Sequence, residues 1–138
     1  IGGTTYRADF TGNNAAIIAT TNPNINWTAV TLGGTTDTGE TINFSIVFEG
    51  KSTGTSTVSA SAGEDENAPQ GLTVALVISN NGTIESVQYD AVNVNINITS
   101  YKEISGVTAE VEGTFSGTVE DDDGNTTNIS GSFNTGTL

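Results

Sequence analysis

The stretch Val92–Thr99, with the sequence VNVNINIT, alternates β-branched residues with small polar residues. Successive side chains of a β-strand point to opposite faces, so this alternation predicts a strand with one buried face and one face in water. The valines and isoleucines are expected to line the buried face, and the asparagines to face outward. The same pattern recurs along the chain and therefore predicts the architecture of the whole protein.

Other segments show the same period of two. Apolar residues alternate in Ile42–Phe48 and in Val107–Val119, and Leu72–Ser79 is almost continuously apolar. Turn residues separate these segments, and Asn80–Gly82 is typical of a tight hairpin turn. No window shows the roughly 3.6-residue period of a helix. We therefore predict an all-β fold, an antiparallel β-sandwich or a partly closed barrel of about 8–9 strands.

Two local expectations concern the boundaries of the strands. Thr83–Asp90 and Val92–Thr99 are predicted to be consecutive, separate strands. Tyr101–Gly106 is predicted to be a turn, because it interrupts the alternation before the next apolar row begins.

Length and charge limit the class of protein. The chain has 138 residues, and we predict one domain over residues 1–138 with its own core. It has 16 acidic residues against Arg7, Lys51 and Lys102, a formal net charge of −13, which argues against nucleic acid and anionic membranes as partners. No apolar run is long enough to insert into a membrane. A surface rich in Thr, Asn and Ser with little Lys favours an extracellular or cell-surface location.

The residues that most often carry catalysis are missing. The chain has no His and no Cys, so it lacks the commonest general base, the thiolate nucleophile and the usual zinc ligands. A pair of carboxylates would suffice for a glycosidase, and the candidates are Glu40, Glu49, Glu85, Glu110 and Glu112. Glu110 and Glu112 alternate with apolar residues and are expected to face water. We predict that the protein is not an enzyme.

The most concentrated acidic turn is Asp121-Asp122-Asp123-Gly124-Asn125. Two interpretations stay open. The Asp-Gly pair is typical of a hairpin turn, in which the charges also discourage aggregation. Alternatively, Asp121, Asp122, Asp123 and Asn125 offer oxygen ligands for a weak Ca²⁺ site, although their spacing is not that of an EF-hand. No other cofactor is predicted.

Aromatic residues are the candidates for contact with a sugar ring. Trp27, Tyr6, Tyr89 and Tyr101 could form such a platform. Trp27 shares its parity with Ala29 on an alternating strand, so it is expected to pack in the core instead. Tyr101, in the predicted turn, is the better candidate for exposure.

Six Asn-x-Ser/Thr sequons are candidate glycosylation sites. Their parity opposite to the apolar residues, or their position in or beside turns, predicts that the acceptor amides are accessible. The acceptors are Asn26, Asn43, Asn81, Asn97, Asn125 and Asn128. The alternative is that a sequence rich in Asn and Thr forms sequons by chance.

Three motifs in the last third of the chain resemble a known group of proteins. They are a strand ending in Thr-x-Tyr at Thr99–Tyr101, a Gly-Thr-Phe strand at Gly113–Phe115 and a final Gly-x-Phe strand at Gly131–Phe133. This pattern resembles secreted and lipid-anchored β-domains of uncharacterised function that are common in Bacteroidetes. The resemblance implies a β-fold and no functional residues.

The start of the chain is a candidate for assembly. Residues 1–10 are extended in pattern and low in charge, and they are predicted either to pack in their own domain or to add as a strand to a neighbouring subunit, with Tyr6, Ala8 and Phe10 as the inserted row. We therefore predict an extracellular or cell-surface structural protein that acts by self-assembly or adhesion, such as a subunit of a pilus-like filament. The alternative is a monomeric surface module that binds glycan or another small ligand through its loops.

Overall fold

The computed structural model describes residues 16–22, 25–35, 40–63, 70–104 and 109–135. These residues form eight β-strands and no helix. The strands are β1 (Ala16–Asn22), β2 (Ile25–Thr35), β3 (Thr41–Glu49), β4 (Gly54–Val58), β5 (Gly71–Asn80), β6 (Thr83–Glu103), β7 (Ala109–Glu120) and β8 (Thr126–Asn134).

All pairs among these strands are antiparallel and belong to one sheet. Seven strands follow the order β1-β2-β3-β5-β6-β7-β8, and β4 pairs with β6 beside this path. The predicted all-β antiparallel fold is confirmed, and the described strands do not close into a barrel. The strand expected at Tyr6–Phe10 lies outside the described residues.

The long strand β6 divides the sheet into two layers. Its first part, residues 83–90, pairs with β5, whereas residues 94–98 pair with β4 on the same edge. Its other edge pairs with β7 only from Asp90 onward. Strands β1, β2, β3 and β5 with the start of β6 therefore form a first layer, and β4, β7 and β8 with the rest of β6 form a second layer.

Three expectations about this region are wrong. Thr83–Asp90 and Val92–Thr99 belong to one strand, which continues through Tyr101 to Glu103 instead of turning. Val92 is 39% exposed because the register shifts between Ala91 and Asn93, as in a β-bulge, and the bulge gives Val92 no place on the buried face. The bulge also bends β6 between the layers, which explains why one strand can serve both.

The core lies between the two layers, and its alternation agrees with the sequence pattern. Phe44, Ile46 and Phe48 on β3 are 6%, 0% and 2% exposed, as predicted. The ring of Phe44 meets two rings of the second layer, with centroids 4.9 Å from Phe115 and 6.2 Å from Phe133. Aromatic contacts of this kind add to the free energy gained from burying the rings themselves.

The Gly-x-Phe motifs of β7 and β8 pack against each other reciprocally. Gly113 pairs with Phe133, and Phe115 pairs with Gly131. A Cβ added at Gly131 would lie 2.6 Å from Cζ of Phe115, and one at Gly113 would lie 2.9 Å from Cζ of Phe133. Each glycine thus leaves room for the phenylalanine opposite. The two Gly-x-Phe motifs therefore have a packing function in this chain.

The parity of β2 differs from the prediction. Thr28 and Val30 are both fully buried, whereas Trp27 and Ala29 are half-buried on the opposite face of the strand. The expectation that Trp27 packs in the core between the layers is therefore wrong. The hydrophobic pattern counts Trp27 and Ala29 as apolar and Thr28 as polar, so it predicted the wrong buried face. In the structure Thr28 occupies the core position.

Within the described part of the chain, no helix is long and apolar enough to cross a membrane.

Candidate functional site

A buried hydroxyl joins the two layers at one end of the core. Thr28 on β2 donates a hydrogen bond to the carbonyl oxygen of Gly50, in the turn after β3, at 2.7 Å. Its Oγ1 lies 3.2 Å from the hydroxyl of Tyr101 on β6. Because the single hydrogen of Thr28 goes to Gly50, Tyr101 is the donor in the second bond. Both contacts satisfy polar groups inside the protein, and they give Thr28 and Tyr101 a structural role.

This arrangement bears on the predicted aromatic platform. Tyr101 is half-buried against the core and reaches the inner face of β2, so the expectation that it is exposed in a turn is wrong. Trp27 lies on the other face of β2, and Tyr89 packs against the core. The structure therefore does not bring Trp27 and Tyr101 together on one surface. Tyr6 lies outside the described residues.

We expect the Thr28 contacts to stabilise the packing of the layers. Thr28→Val should lower the free energy of unfolding by about 1–2 kcal/mol, because it leaves the Gly50 carbonyl and the Tyr101 hydroxyl without a partner. Tyr101→Phe should cost about 1 kcal/mol. Urea unfolding of the double variant should show a loss smaller than the sum, since both changes remove the same bond. Strict additivity would contradict the described contact.

The acidic turn between β7 and β8 satisfies its own hydrogen bonds. Oδ1 of Asp121 accepts the backbone N–H of Asp123 at 3.0 Å and that of Asn125 at 2.9 Å. Oδ2 of Asp121 lies 3.4 Å from the side-chain amide of Asn125. Backbone bonds from Asp121 to Asn125 and from Gly124 to Asp121 close the turn. This geometry supports the hairpin interpretation, in which Asp121 holds the loop.

The alternative of a weak Ca²⁺ site stays a prediction. Asp122 and Asp123 are exposed in the same turn. Among the described residues, no group of three or more His, Cys, Asp or Glu side chains has the arrangement of a metal site. The acidic run at residues 64–66 lies outside the described residues.

The turn predicts a pH effect. The pKa of Asp121 is lowered, first by the backbone N–H of Asn125 and further by the side chain of Asn125 and the N–H groups of Asp123 and Gly124, against a smaller effect of desolvation. A lowered folded pKa means that the carboxylate stabilises the fold above the ordinary pKa of aspartate and loses this effect as the pH falls through the folded value. Asp121→Asn keeps an oxygen acceptor that does not titrate.

We therefore expect the melting temperature of the wild type, relative to Asp121→Asn, to be constant near neutral pH and to fall below the ordinary pKa of aspartate. Thermal unfolding followed by circular dichroism over a pH series measures this difference. A difference that stays constant down to the most acidic pH would contradict the assignment of the hydrogen bonds.

Among the candidate carboxylates, only Glu110 and Glu112 lie on the same strand. Glu112 is exposed and Glu110 half-buried on either side of the buried Val111 of β7, so both lie on its outward face. Glu49 accepts a hydrogen bond from Nε2 of Gln70 at 3.3 Å. Glu49 also borders a small depression beside β4, with a volume of about 110 Å³. Ligand pockets usually have volumes of roughly 300–1,000 Å³, so this depression is smaller than a typical ligand pocket. Glu85 is exposed and Glu40 is half-buried.

Five of the six sequon asparagines are exposed, and they lie on β3, on β6, in two turns and on β8. In that order they are Asn43, Asn97, Asn81, Asn125 and Asn128. Asn26 belongs to β2, and its side chain lies outside the described residues. These positions leave the acceptor amides accessible, and glycosylation at them stays a prediction.

The edge of the second layer was not predicted from the sequence. Among the described strands, β8 pairs with β7 alone. Thr135 donates its backbone N–H to the carbonyl oxygen of Val111, so residues 135 and 111 form a hydrogen-bonded pair of the ladder between β8 and β7. Because such pairs alternate in an antiparallel ladder, the odd residues of β8 bond to β7 and the even residues direct their N–H and C=O groups away from it. The outward row consists of Thr126, Asn128, Ser130, Ser132 and Asn134, and we call its first four residues the β8 edge.

Within the described residues, strand β8 itself has none of the sequence features that usually protect a sheet edge. Strand β8 has nine residues, pairs with β7 without a register shift, and contains no charged residue and no proline. All four residues of the edge are exposed. Proteins commonly protect such edges with lysine, proline, a bulge or a short strand. The sequence signal was the uncharged segment Thr126–Asn134 in a chain with a net charge of −13.

Comparisons of the chain with protein-family models, with curated proteins and with solved structures find no match. The resemblance to Bacteroidetes β-domains stays a prediction, and functional inference depends on the residues of this chain itself.

Proposed function

We propose that the protein is an extracellular or cell-surface structural β-domain that acts by self-assembly or adhesion, with copies joined by β-strand addition into a pilus-like filament. The observation that carries the proposal is the β8 edge. It offers backbone donors and acceptors in a row, and main-chain hydrogen bonds of this kind supply the affinity in strand addition.

The distribution of charge supports assembly at strand edges. Strands β1 and β8 end the order of the sheet, and neither contains a charged residue. Copies with a net charge of −13 repel each other, and the repulsion is screened by salt. Contact at the uncharged edges keeps the carboxylates apart. Assembly is therefore expected to increase with ionic strength.

Growth into a filament needs two different contacts on each copy. The predicted donor of one contact is the segment with Tyr6, Ala8 and Phe10, which lies outside the described residues. The other contact is available at the β8 edge.

Electron microscopy of the purified full chain, at low and at physiological salt, tests the proposal. We expect polymers in the wild type that are more abundant at higher salt, and their loss when Tyr6 and Phe10 are replaced together by serine. Thr5→Ala is the matched control, because Thr5 has the opposite parity to Tyr6 and Phe10 and is not part of the predicted inserted row. It should assemble normally. Unchanged polymers in the double variant would overturn the role of the first ten residues as a donated strand.

The alternative function is a monomeric module that binds glycan through its loops. A glycan array separates the two functions. Binding by a monomeric chain, with loss of binding in Trp27→Ala, would favour the module. Assembly without glycan binding favours the structural protein.

A further inference from the structure

We propose that the outward face of the first layer binds a neutral sugar chain. The indole of Trp27 is the surface on which a sugar ring stacks, and Glu49 and Gln70 are the polar partners of its hydroxyl groups. The inference rests on the adhesive part of the proposed function and names the class of ligand. It does not depend on assembly into filaments.

A small apolar patch lies on the outward face of strands β2 and β3. Thr28 and Val30 are buried, so Trp27 and Ala29 point outward from β2, and both are half-buried. Val47 of β3 pairs with Ala29 and is also half-buried. It is the diagonal neighbour of Trp27, a separation that an aromatic side chain can span. The indole therefore has apolar neighbours on its own face of the sheet, and part of it is exposed to solvent.

A polar pair borders this patch beside Trp27. Glu49 is the direct register partner of Trp27 on β3, and it is exposed on the same face. Nε2 of Gln70 donates a hydrogen bond to Oε2 of Glu49 at 3.3 Å, which places a carboxamide next to the carboxylate. A carboxylate accepts about four hydrogen bonds, and this contact uses one of them. The pair therefore presents acceptors and a donor side by side, which matches two neighbouring hydroxyl groups of a sugar.

The chain after β4 forms a wall on the far side of the patch. Gly71 of β5 pairs with Val47 and is buried, because a Cβ added to it would collide with the backbone carbonyl oxygen of Ser61. The N–H of Ala62 donates to Oγ1 of Thr73, the next outward residue of β5, at 3.0 Å. The backbone at residues 61–62 thus stands on the outward face and is held there. It makes the patch concave, as ligand sites usually are.

The chemistry of this patch fits a neutral sugar. A net charge of −13 repels acidic polysaccharides and other polyanions. Ligand sites commonly combine an apolar or aromatic surface with a few placed polar groups. A pyranose ring with equatorial hydroxyl groups has a C–H face that stacks on an indole and an edge that forms hydrogen bonds. A β-linked glucan repeats this face along its length, so we assign the site to this class.

A basic side chain is the competing occupant. A lysine or arginine over an indole gains a cation–π interaction, and a neighbouring carboxylate would add to it. Glu49 already accepts a hydrogen bond from Gln70, and the carboxamide adds no charge. The donor and acceptor together favour hydroxyl groups as the partner.

The fluorescence of Trp27 tests the site directly, because the chain has one tryptophan. Cellohexaose and laminarihexaose are the probes, titrated into the full chain. We expect the emission to shift to shorter wavelength and the quenching by acrylamide to decrease, since a bound ring excludes water from the exposed part of the indole. The dissociation constant should be the same at low and at physiological salt, because the ligand has no charge.

Three variants and a control locate the site. Glu49→Ala and Gln70→Ala should each weaken binding about tenfold in the same titration, since each removes hydrogen bonds to the sugar. Trp27→Ala, measured by isothermal titration calorimetry, should weaken it more than either. Glu120→Ala is the matched control, because it removes one exposed carboxylate at the end of β7 in the second layer, and it should bind as the wild type does. Circular dichroism checks that each variant is folded, and the exposed Glu49 tests the site even where Trp27→Ala does not fold.

Three results would overturn the site. The first is an unchanged Trp27 emission with both glucans up to millimolar concentration. The second is binding that Glu49→Ala and Gln70→Ala leave as strong as Glu120→Ala does. The third is salt-sensitive binding of a lysine-rich peptide without binding of either glucan, which would assign the patch to a basic partner.

The outcomes also separate this inference from assembly. Polymers that form in a chain without glucan binding would leave assembly in place and remove the sugar site. Glucan binding at Trp27 by a chain that stays monomeric at every concentration and salt would support the site and contradict assembly.

Discussion

Phe44→Ala is expected to lower the free energy of unfolding by about 3–5 kcal/mol. Phe44 is 6% exposed, and its ring contacts Phe115 and Phe133 of the opposite layer. The truncation leaves a cavity where the two layers meet, so it removes both buried area and aromatic contacts. Urea unfolding of the wild type and the variant measures the difference.

Val47→Ala is the matched control for this prediction. Val47 lies on the same strand with the opposite parity and is half-buried on the outward face of the first layer. Its truncation should cost about 1 kcal/mol, since valine is smaller than phenylalanine and this side chain is already partly exposed to water. Equal losses for Phe44→Ala and Val47→Ala would contradict the position of the core between the layers.

Gly117→Ala is expected to cost about 3 kcal/mol through overpacking. A Cβ at this position would collide with the backbone carbonyl oxygen of Asn93 and would lie 2.7 Å from Cα of Val94. Both atoms belong to the backbone of β6 at the bulge, where no flexible side chain can move aside. The substitution therefore forces apart the strands that turn the sheet from one layer to the other. Thermal and urea unfolding measure the loss.

Gly124→Ala separates the collision from a general effect of replacing glycine. Gly124 has a φ of 83° in the hairpin turn, with no atom within 4 Å of an added Cβ. It should cost only about 1 kcal/mol, from the unfavourable backbone conformation. A Gly117→Ala variant as stable as Gly124→Ala would show that β6 and β7 are not as close at the bulge as described.

The sequence predicts the regular parts of this fold well. Alternation identified the buried rows of β3 and of the second half of β6, because a two-layer fold buries one face of each strand. It failed at Val92 and at Trp27 for different reasons. A bulge adds one residue to a strand, so the residues after it point to the opposite face from the one that strict alternation predicts. The buried position of Thr28 depends on partners at Gly50 and Tyr101 that are distant in sequence.

The candidate surface was harder to predict. That Thr126–Asn134 is a strand follows from its alternation, but that it lies at the edge depends on the order of all the strands. The direction of its backbone groups depends in turn on the register with β7. Both properties arise from long-range pairing, so the local sequence contains only the absence of charge as a signal.

Assembly through strand edges is tested most directly by sedimentation velocity of the full chain over a wide range of concentration, at low and at physiological salt. We expect a monomer at low concentration that converts to larger species as concentration and salt rise. A single monomeric species under every condition would contradict assembly through these edges.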